Sequence, residues 1–141
     1  MRNIKEIILH CTQTPNNASV GAMIKYWKED LGWKSLGYHY IILPTGHVVN
    51  LEPIEKAANG AKGHNKNGLH IAYVGGAEDY NYNTWIDNRT DEQKESMKKL
   101  VEEAKAAHPK AKILGHCDVT DAKECPAFDV KEEFKYLNKK V

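Results

Sequence analysis

The segment "ILGHCDVTDAKECPAFD", residues 113–129, gathers His116, Cys117, Asp118, Lys123 and Cys125 into one stretch punctuated by glycine and proline. Imidazole nitrogen and thiolate sulfur are donors that zinc accepts, and a catalytic zinc site takes three protein ligands and leaves a fourth position for water. His116 and Cys125 supply two such donors, and the third has to come from another strand end. His10, which closes the apolar run "IKEIILHC", stands at such a place. Spacing alone leaves two readings open, because neither HExxH nor a paired CxxC is present and a His-x8-Cys pair is common by chance. In the first, His10, His116 and Cys125 converge on one metal ion. In the second, they are strand-end histidines and a small core cysteine. A third chemistry, a cysteine hydrolase using Cys11 or Cys117 with a neighbouring histidine, needs no metal. The H-x-E and P-C-x-x-C pair of zinc deaminases is absent.

Whatever the chemistry, secondary structure must bring residue 10 to residues 116 and 125. "IKEIILHC" is short, apolar and rich in β-branched residues, as a buried strand requires. "YHYIILP" and "TGHVVNLE" read as a hairpin around Thr45-Gly46. "LHIAYVGG" is a further strand closed by Gly75 and Gly76, and "AKILGH" a shorter one. Three helices separate them. Ser19 caps the first, with Met23, Ile24 and Trp27 at helical spacing and Gly32 as its stop. The second, "TDEQKESMKKLVEEAKAAHP", opens on a capping box of Thr90 and Gln93 and carries Met97, Leu100, Val101 and Ala104 on one face. The third begins near Val130 behind Asp129 and turns Phe134 and Leu137 inward. The pattern predicts a single α/β domain spanning 1–141, a central mixed β-sheet flanked by helices.

The bounds agree with a small soluble enzyme. A chain of 141 residues can bury one core. Lys and Arg number 20 against 19 Asp and Glu, and a net charge of +1 gives no phosphate-binding field, which argues against a nucleic-acid partner. Three cysteines do not make a disulfide framework. The apolar run before His10 is too short for a signal-peptide core or a membrane span, so synthesis in the cytoplasm without a signal peptide and without membrane insertion is expected.

Taken in order, "IILHCTQT", "WKEDLGWKSLGYHYII", "AKGHNKNGLHIAYVGG" and "GHCDVTDAKECPAFD" resemble the successive motifs of the zinc-dependent N-acetylmuramoyl-L-alanine amidases of the amidase-2 family, relatives of the phage amidase-type lysozymes and of the peptidoglycan recognition proteins. The likeness runs from about Ile7 to about Asp129. It implies a zinc site in a surface groove with His10, His116 and Cys125 as ligands of one Zn2+, and Tyr38 and Lys123 as the catalytic pair. It places His64 and Asn65 on the substrate-binding wall. It further implies a peptidoglycan or muropeptide substrate, a monomer, and action on the bacterial cell wall after release. A non-catalytic peptidoglycan-binding module is the alternative on the same fold, and there the cysteine ligand is typically lost.

Three positions depart from the family pattern: Lys28 and Gly60 stand where histidine is frequent, and Cys117 where arginine is common. Gly60 is thus expected to leave the groove wall bare. The other histidines, His39, His47, His70 and His108, are read as core or surface residues. Side-chain alternation in the strands that carry His10 and His116 would send Cys11 and Cys117 together to the opposite face, as a reduced pair or a disulfide.

Overall fold

The computed structural model describes residues 2–80, 84–120 and 124–138. Five strands form one mixed sheet: β1 Glu6–Cys11, β2 Tyr40–Ile42, β3 Val48–Asn50, β4 Gly68–Tyr73 and β5 Lys112–Gly115, in the order β3-β2-β4-β1-β5. β1 runs parallel to both β4 and β5, β2 runs parallel to β4, and β3 closes the hairpin antiparallel to β2. Parallel strands are covered on both faces, so their sequences are apolar almost without interruption. All of β4 is buried, and so is β1 beyond Glu6.

Two layers of side chains do the covering. On one face Ile7, Leu9, Leu69, Ile71, Tyr73 and Ile113 pack against Met97 and Val101 of helix α2 (Asp91–Ala107) and Val130 and Phe134 of helix α3 (Val130–Glu133). On the other, Ile41, Ala72 and Val74 meet Ala18, Val20, Met23 and Tyr38 around helix α1, Val20–Lys25. Alternation along β1 sends Cys11 to the first face and His10 to the second.

The helix signals hold at the level of single atoms. Ser19 Oγ accepts from Ala22 N, and Asp129 Oδ1 accepts from Glu132 N. At α2 the capping box forms in both directions, Gln93 N donating to Thr90 Oγ1 and Thr90 N to Gln93 Oε1. The Gln93 amide then donates to Ile42 O and Val74 O, so one fully buried polar side chain pins α2 to the ends of two strands. α1 continues as a wider turn over Tyr26–Asp30 in which Leu31 N donates to Tyr26 O, and Gly32 ends it at φ +66°. That turn buries Trp27, whose ring lies against Gly37: a Cβ there would approach Trp27 Cζ2 to 2.9 Å. The same ring stands edge-on to Tyr38, centroids 5.6 Å apart. Glycine at 37 therefore lets Trp27 set the orientation of Tyr38.

β5 is shorter than alternation through His116 requires. It ends at Gly115, and His116–Asp118 is a 3-10 turn held by Gly115 N donating to Asp118 Oδ2. The expectation that Cys11 and Cys117 share a face fails for this reason: Cys11 is buried in the core, whereas Cys117 is exposed on the turn. All three cysteines are free thiols, and the partner of Cys11 is Cys125.

Candidate metal centre

The carboxyl ends of β1, β4 and β5 lie side by side, with Leu9 level with Gly115 and Cys11 level with Tyr73. The loop after β5 folds back over these ends. Cys117 N donates to Cys125 O at 2.7 Å, Tyr73 Oη donates to Pro126 O at 2.7 Å, and Cys11 N donates to Cys125 Sγ at 2.9 Å. Gly115 permits the close approach, since a Cβ there would meet Pro126 Cδ at 3.0 Å and Val130 Cγ2 at 3.1 Å. The loop thus delivers Cys125 to the end of β1 by one backbone bond, the Tyr73 hydroxyl and the Cys11 amide.

The result is that one donor atom each from His10, His116 and Cys125 lies within 4.8 Å of the others. The rings of His10 and His116 meet edge to face at 4.7 Å. Ligand atoms around a tetrahedral zinc are about 3.4 to 3.7 Å apart, as follows from Zn–N and Zn–S lengths of about 2.1 and 2.3 Å. The set fits such an ion with no more than a small side-chain contraction. Its chemistry fits as well: burial, reinforced by the neighbouring imidazoles of His70, His116 and His39, holds His10 well below the ordinary histidine pKa, so it is a neutral donor. Burial also pushes the Cys125 thiol up, with its contact to Cys11 adding to the effect. The Cys11 amide N–H aimed at Cys125 Sγ and a cation in the site are what would favour the thiolate.

Tyr38 borders this set, its ring centroid 5.1 Å from that of His10 and its hydroxyl donating to Cys11 O at a long 3.4 Å. Burial raises the phenol well above its usual pKa, with the thiols of Cys125 and Cys11 contributing, so it stays protonated through neutral pH. The ring also forms part of the wall of a groove of about 860 Å3, together with Thr12, Gln13, Met23, Trp27, Tyr80 and Trp85. Trp33 stacks on Trp27 at 6.4 Å.

The other expected site residues lie elsewhere. His64 Nδ1 pairs with Glu6 Oε1 at 2.8 Å, near the opposite end of β1 from His10. Asn65 Oδ1 accepts from Ala61 N, closing the turn that His64 sits in. Lys123 lies outside the described residues. Gly60 does not face open groove: a Cβ there would stand 2.3 Å from His70 Nδ1, so the His70 ring fills the space in question. The bare groove wall expected at Gly60 is thereby corrected.

His70, read from the sequence as a core or surface residue, is a core residue that also adjoins the site. It is fully buried, and its Nδ1 lies 2.8 Å from His10 Nε2. The signal was alternation: in "LHIAYV", His70 shares a face with Ala72 and Val74, the face that His10 occupies one strand away. His39 stacks parallel on the ring at 5.9 Å and accepts the His70 amide proton on its own Nδ1 at 3.0 Å.

Residues 1–128 match the family described as N-acetylmuramoyl-L-alanine amidase. The endolysin of Enterobacteria phage K11 is 32% identical over 131 residues, covering 92% of this chain and 85% of that protein. The endolysin of Escherichia phage T7 is 32% identical over 126 residues, 89% and 82% of the two chains. Among solved structures, the N-acetylmuramoyl-L-alanine amidase LysC from Clostridium intestinale URNW superposes with a TM-score of 0.79 at 27% identity, covering 99% of this chain and 88% of that one.

Proposed function

This chain belongs to the N-acetylmuramoyl-L-alanine amidase family, and from that premise we propose that it hydrolyses the amide bond between N-acetylmuramic acid and L-alanine in peptidoglycan, using one zinc ion held by His10, His116 and Cys125. The observation that supports this reading is the convergence of those three donors beside a groove whose wall includes Tyr38. A zinc ion held there would supply Lewis-acid and water-activating chemistry.

The chain's own residues account for the rest. Two neutral imidazoles and one thiolate would hold the ion while leaving it net positive charge. Tyr38, protonated and with its ring set by Trp27, donates to Cys11 O over a long 3.4 Å, a weak bond that substrate can displace. It orients the attacking water and relays a proton to the departing amine of L-alanine. Lys123, two residues before Cys125 in sequence, brings an ammonium to the developing oxyanion. The family resemblance assigns substrate contacts to His64 and Asn65, which lie near the opposite end of β1 from His10, so a substrate that meets them extends well away from the metal centre. The whole chain, 1–141, serves as one amidase domain acting as a monomer. Made inside the cell, it reaches peptidoglycan on release; among the described residues no helix is long and apolar enough to cross a membrane.

Mass analysis of digested peptidoglycan tests the reaction. Intact stem peptides that begin with L-alanine are expected, and a chelator should abolish their release. Cut glycan strands with uncut stems would overturn the bond assignment, and chelator-resistant cleavage would return a thiol nucleophile to contention.

Tyr38→Phe and Lys123→Ala separate chemistry from metal binding. Both are expected to keep full zinc occupancy while turnover falls by about 10² to 10³, the usual cost of losing one transition-state donor. Turnover near that of the unmodified protein in both variants would remove them from the mechanism.

A further inference from the structure

The histidine pair behind the metal centre has a tautomeric consequence. His10 Nε2 faces His70 Nδ1 at 2.8 Å, so Nδ1 is the His10 nitrogen left for a metal. One proton lies between the two facing nitrogens. If His70 donated it, the neutral His10 would carry its own proton on Nδ1 and present no lone pair to the metal. If His10 donates it, Nδ1 is bare and turned to the site. Only the second arrangement is compatible with ligation.

We propose that His70 is the positioning residue of the metal centre, accepting the His10 Nε2 proton and so fixing His10 as an Nδ1 ligand, and that Gly60 is glycine because the His70 ring needs its space. This rests on the assignment of His10 as a metal ligand.

Two further observations and a general property of metal-bound histidine support it. The second nitrogen of His70, Nε2, is buried with no hydrogen-bond partner among the described residues. A buried polar atom left without a partner costs about 1 to 3 kcal/mol, so an imidazole that leaves one is not retained for stability, and an apolar residue would fill the same volume without the loss. The ring is held by its neighbours. His39 stacks on it at 5.9 Å and 2° and takes its backbone proton, while the Cβ position of Gly60 falls 2.3 Å from Nδ1 and that of Gly68 falls 3.1 Å from Nε2. Glycine at 60 makes room for the imidazole, whereas glycine at 68 is required first by the His64 carbonyl oxygen, 2.2 Å from its Cβ position. Finally, a histidine metal ligand commonly has its remote N–H held by an acceptor, and loss of that acceptor lowers metal affinity by about 10- to 100-fold.

Zinc affinity of the purified protein, measured by competition with a chromogenic chelator, tests the proposal without reference to activity. His70→Leu keeps the volume and removes the acceptor, and should weaken zinc binding about 10- to 100-fold. His70→Asn returns a side-chain oxygen close to where Nδ1 was and should recover most of that affinity. Gly60→Ala, which leaves both histidines in place and pushes on the ring, should weaken binding in the same direction as His70→Leu. Long-range proton–nitrogen correlation spectra of the zinc-loaded, unsubstituted protein give an answer even if the variants fail to fold: His10 protonated on Nε2 and His70 bare at Nδ1 are expected. Unchanged affinity in His70→Leu, or a proton on His70 Nδ1, would overturn the proposal. Absence of stoichiometric zinc from the unsubstituted protein would instead remove the metal assignment on which it rests.

Discussion

Cys125→Ser is expected to empty the centre of metal. Of the three proposed donors, Cys125 is the one that carries negative charge when bound, and serine offers a hydroxyl that stays protonated near neutrality and binds zinc more weakly than a thiolate. The loss should exceed the 10- to 100-fold that follows removal of an outer hydrogen-bond partner, and turnover should fall in parallel with zinc content. The change is nearly isosteric; of the three bonds that seat the loop, Cys117 N to Cys125 O and Tyr73 Oη to Pro126 O do not involve the Cys125 side chain, and the serine hydroxyl can still accept from Cys11 N. A folded but metal-poor protein is therefore the expected product. Elemental analysis after dialysis, alongside circular dichroism, checks both halves. Full zinc occupancy in the serine variant would show that Cys125 is not a ligand.

How far the site could be read in advance follows from which interactions are local. The apolar runs that became β1 and β4 needed no tertiary information, because a parallel strand covered on both faces is apolar almost throughout. The caps at Ser19, Thr90 and Asp129 were equally legible, since each bond spans three residues. Spacing alone favours a core reading of His10, His116 and Cys125, and it is the family resemblance that selects them as ligands. What brings them together is a parallel register between strands more than 100 residues apart and a loop seated by backbone and side-chain hydrogen bonds, neither of which has a local pattern. The error over Cys117 came from carrying a period of two one residue past the end of β5, into a turn. His70 and Gly60 escaped for a related reason. Each is unremarkable in its own segment, and their meaning lies in the 2.3 Å between a missing Cβ and an imidazole nitrogen.

The loop that supplies Cys125 depends on a second buried group, on the other face of the sheet. Arg89 stands just ahead of α2 with its side chain 2% exposed. It forms bidentate bonds to two carboxylates: Nε and one terminal nitrogen donate to Asp87 at 2.8 and 2.9 Å, and both terminal nitrogens donate to Glu133 of α3 at 2.8 and 2.7 Å. Its guanidinium carbon lies 3.5 Å from the centroid of Phe128, three residues beyond Cys125. One cation thereby ties the entry to α2, helix α3 and the tail of the metal-site loop.

Arg89→Ala is accordingly expected to be among the most destabilising single changes in the chain. Removing one partner of a buried ion pair costs about 3 to 5 kcal/mol, because the remaining charges lose their compensation. Asp87 and Glu133 keep part of their side chains in water, 28% and 39% exposed, which places the effect at the lower end of that range. For a chain of this length about 3 kcal/mol corresponds to a fall in Tm on the order of 10 °C. Arg89→Lys should recover only part of it, since an ammonium cannot make the two paired forks or lie flat on Phe128. The acid limb gives an independent check. Burial alone would raise the Asp87 pKa, but the hydrogen bonds and charge of Arg89, with a smaller contribution from Lys94, outweigh it and leave the carboxyl below its ordinary value. A depressed carboxylate pKa contributes stability that is present above the unfolded-state value of about 3.9 and is lost as pH falls through the folded-state value. The alanine variant has already lost that contribution, so its stability deficit should be widest near neutrality and should narrow below about pH 4. Urea unfolding at pH 7 and pH 3 measures the two gaps, and a deficit of the same size at both would show that the Asp87 pair does not stabilise the folded chain.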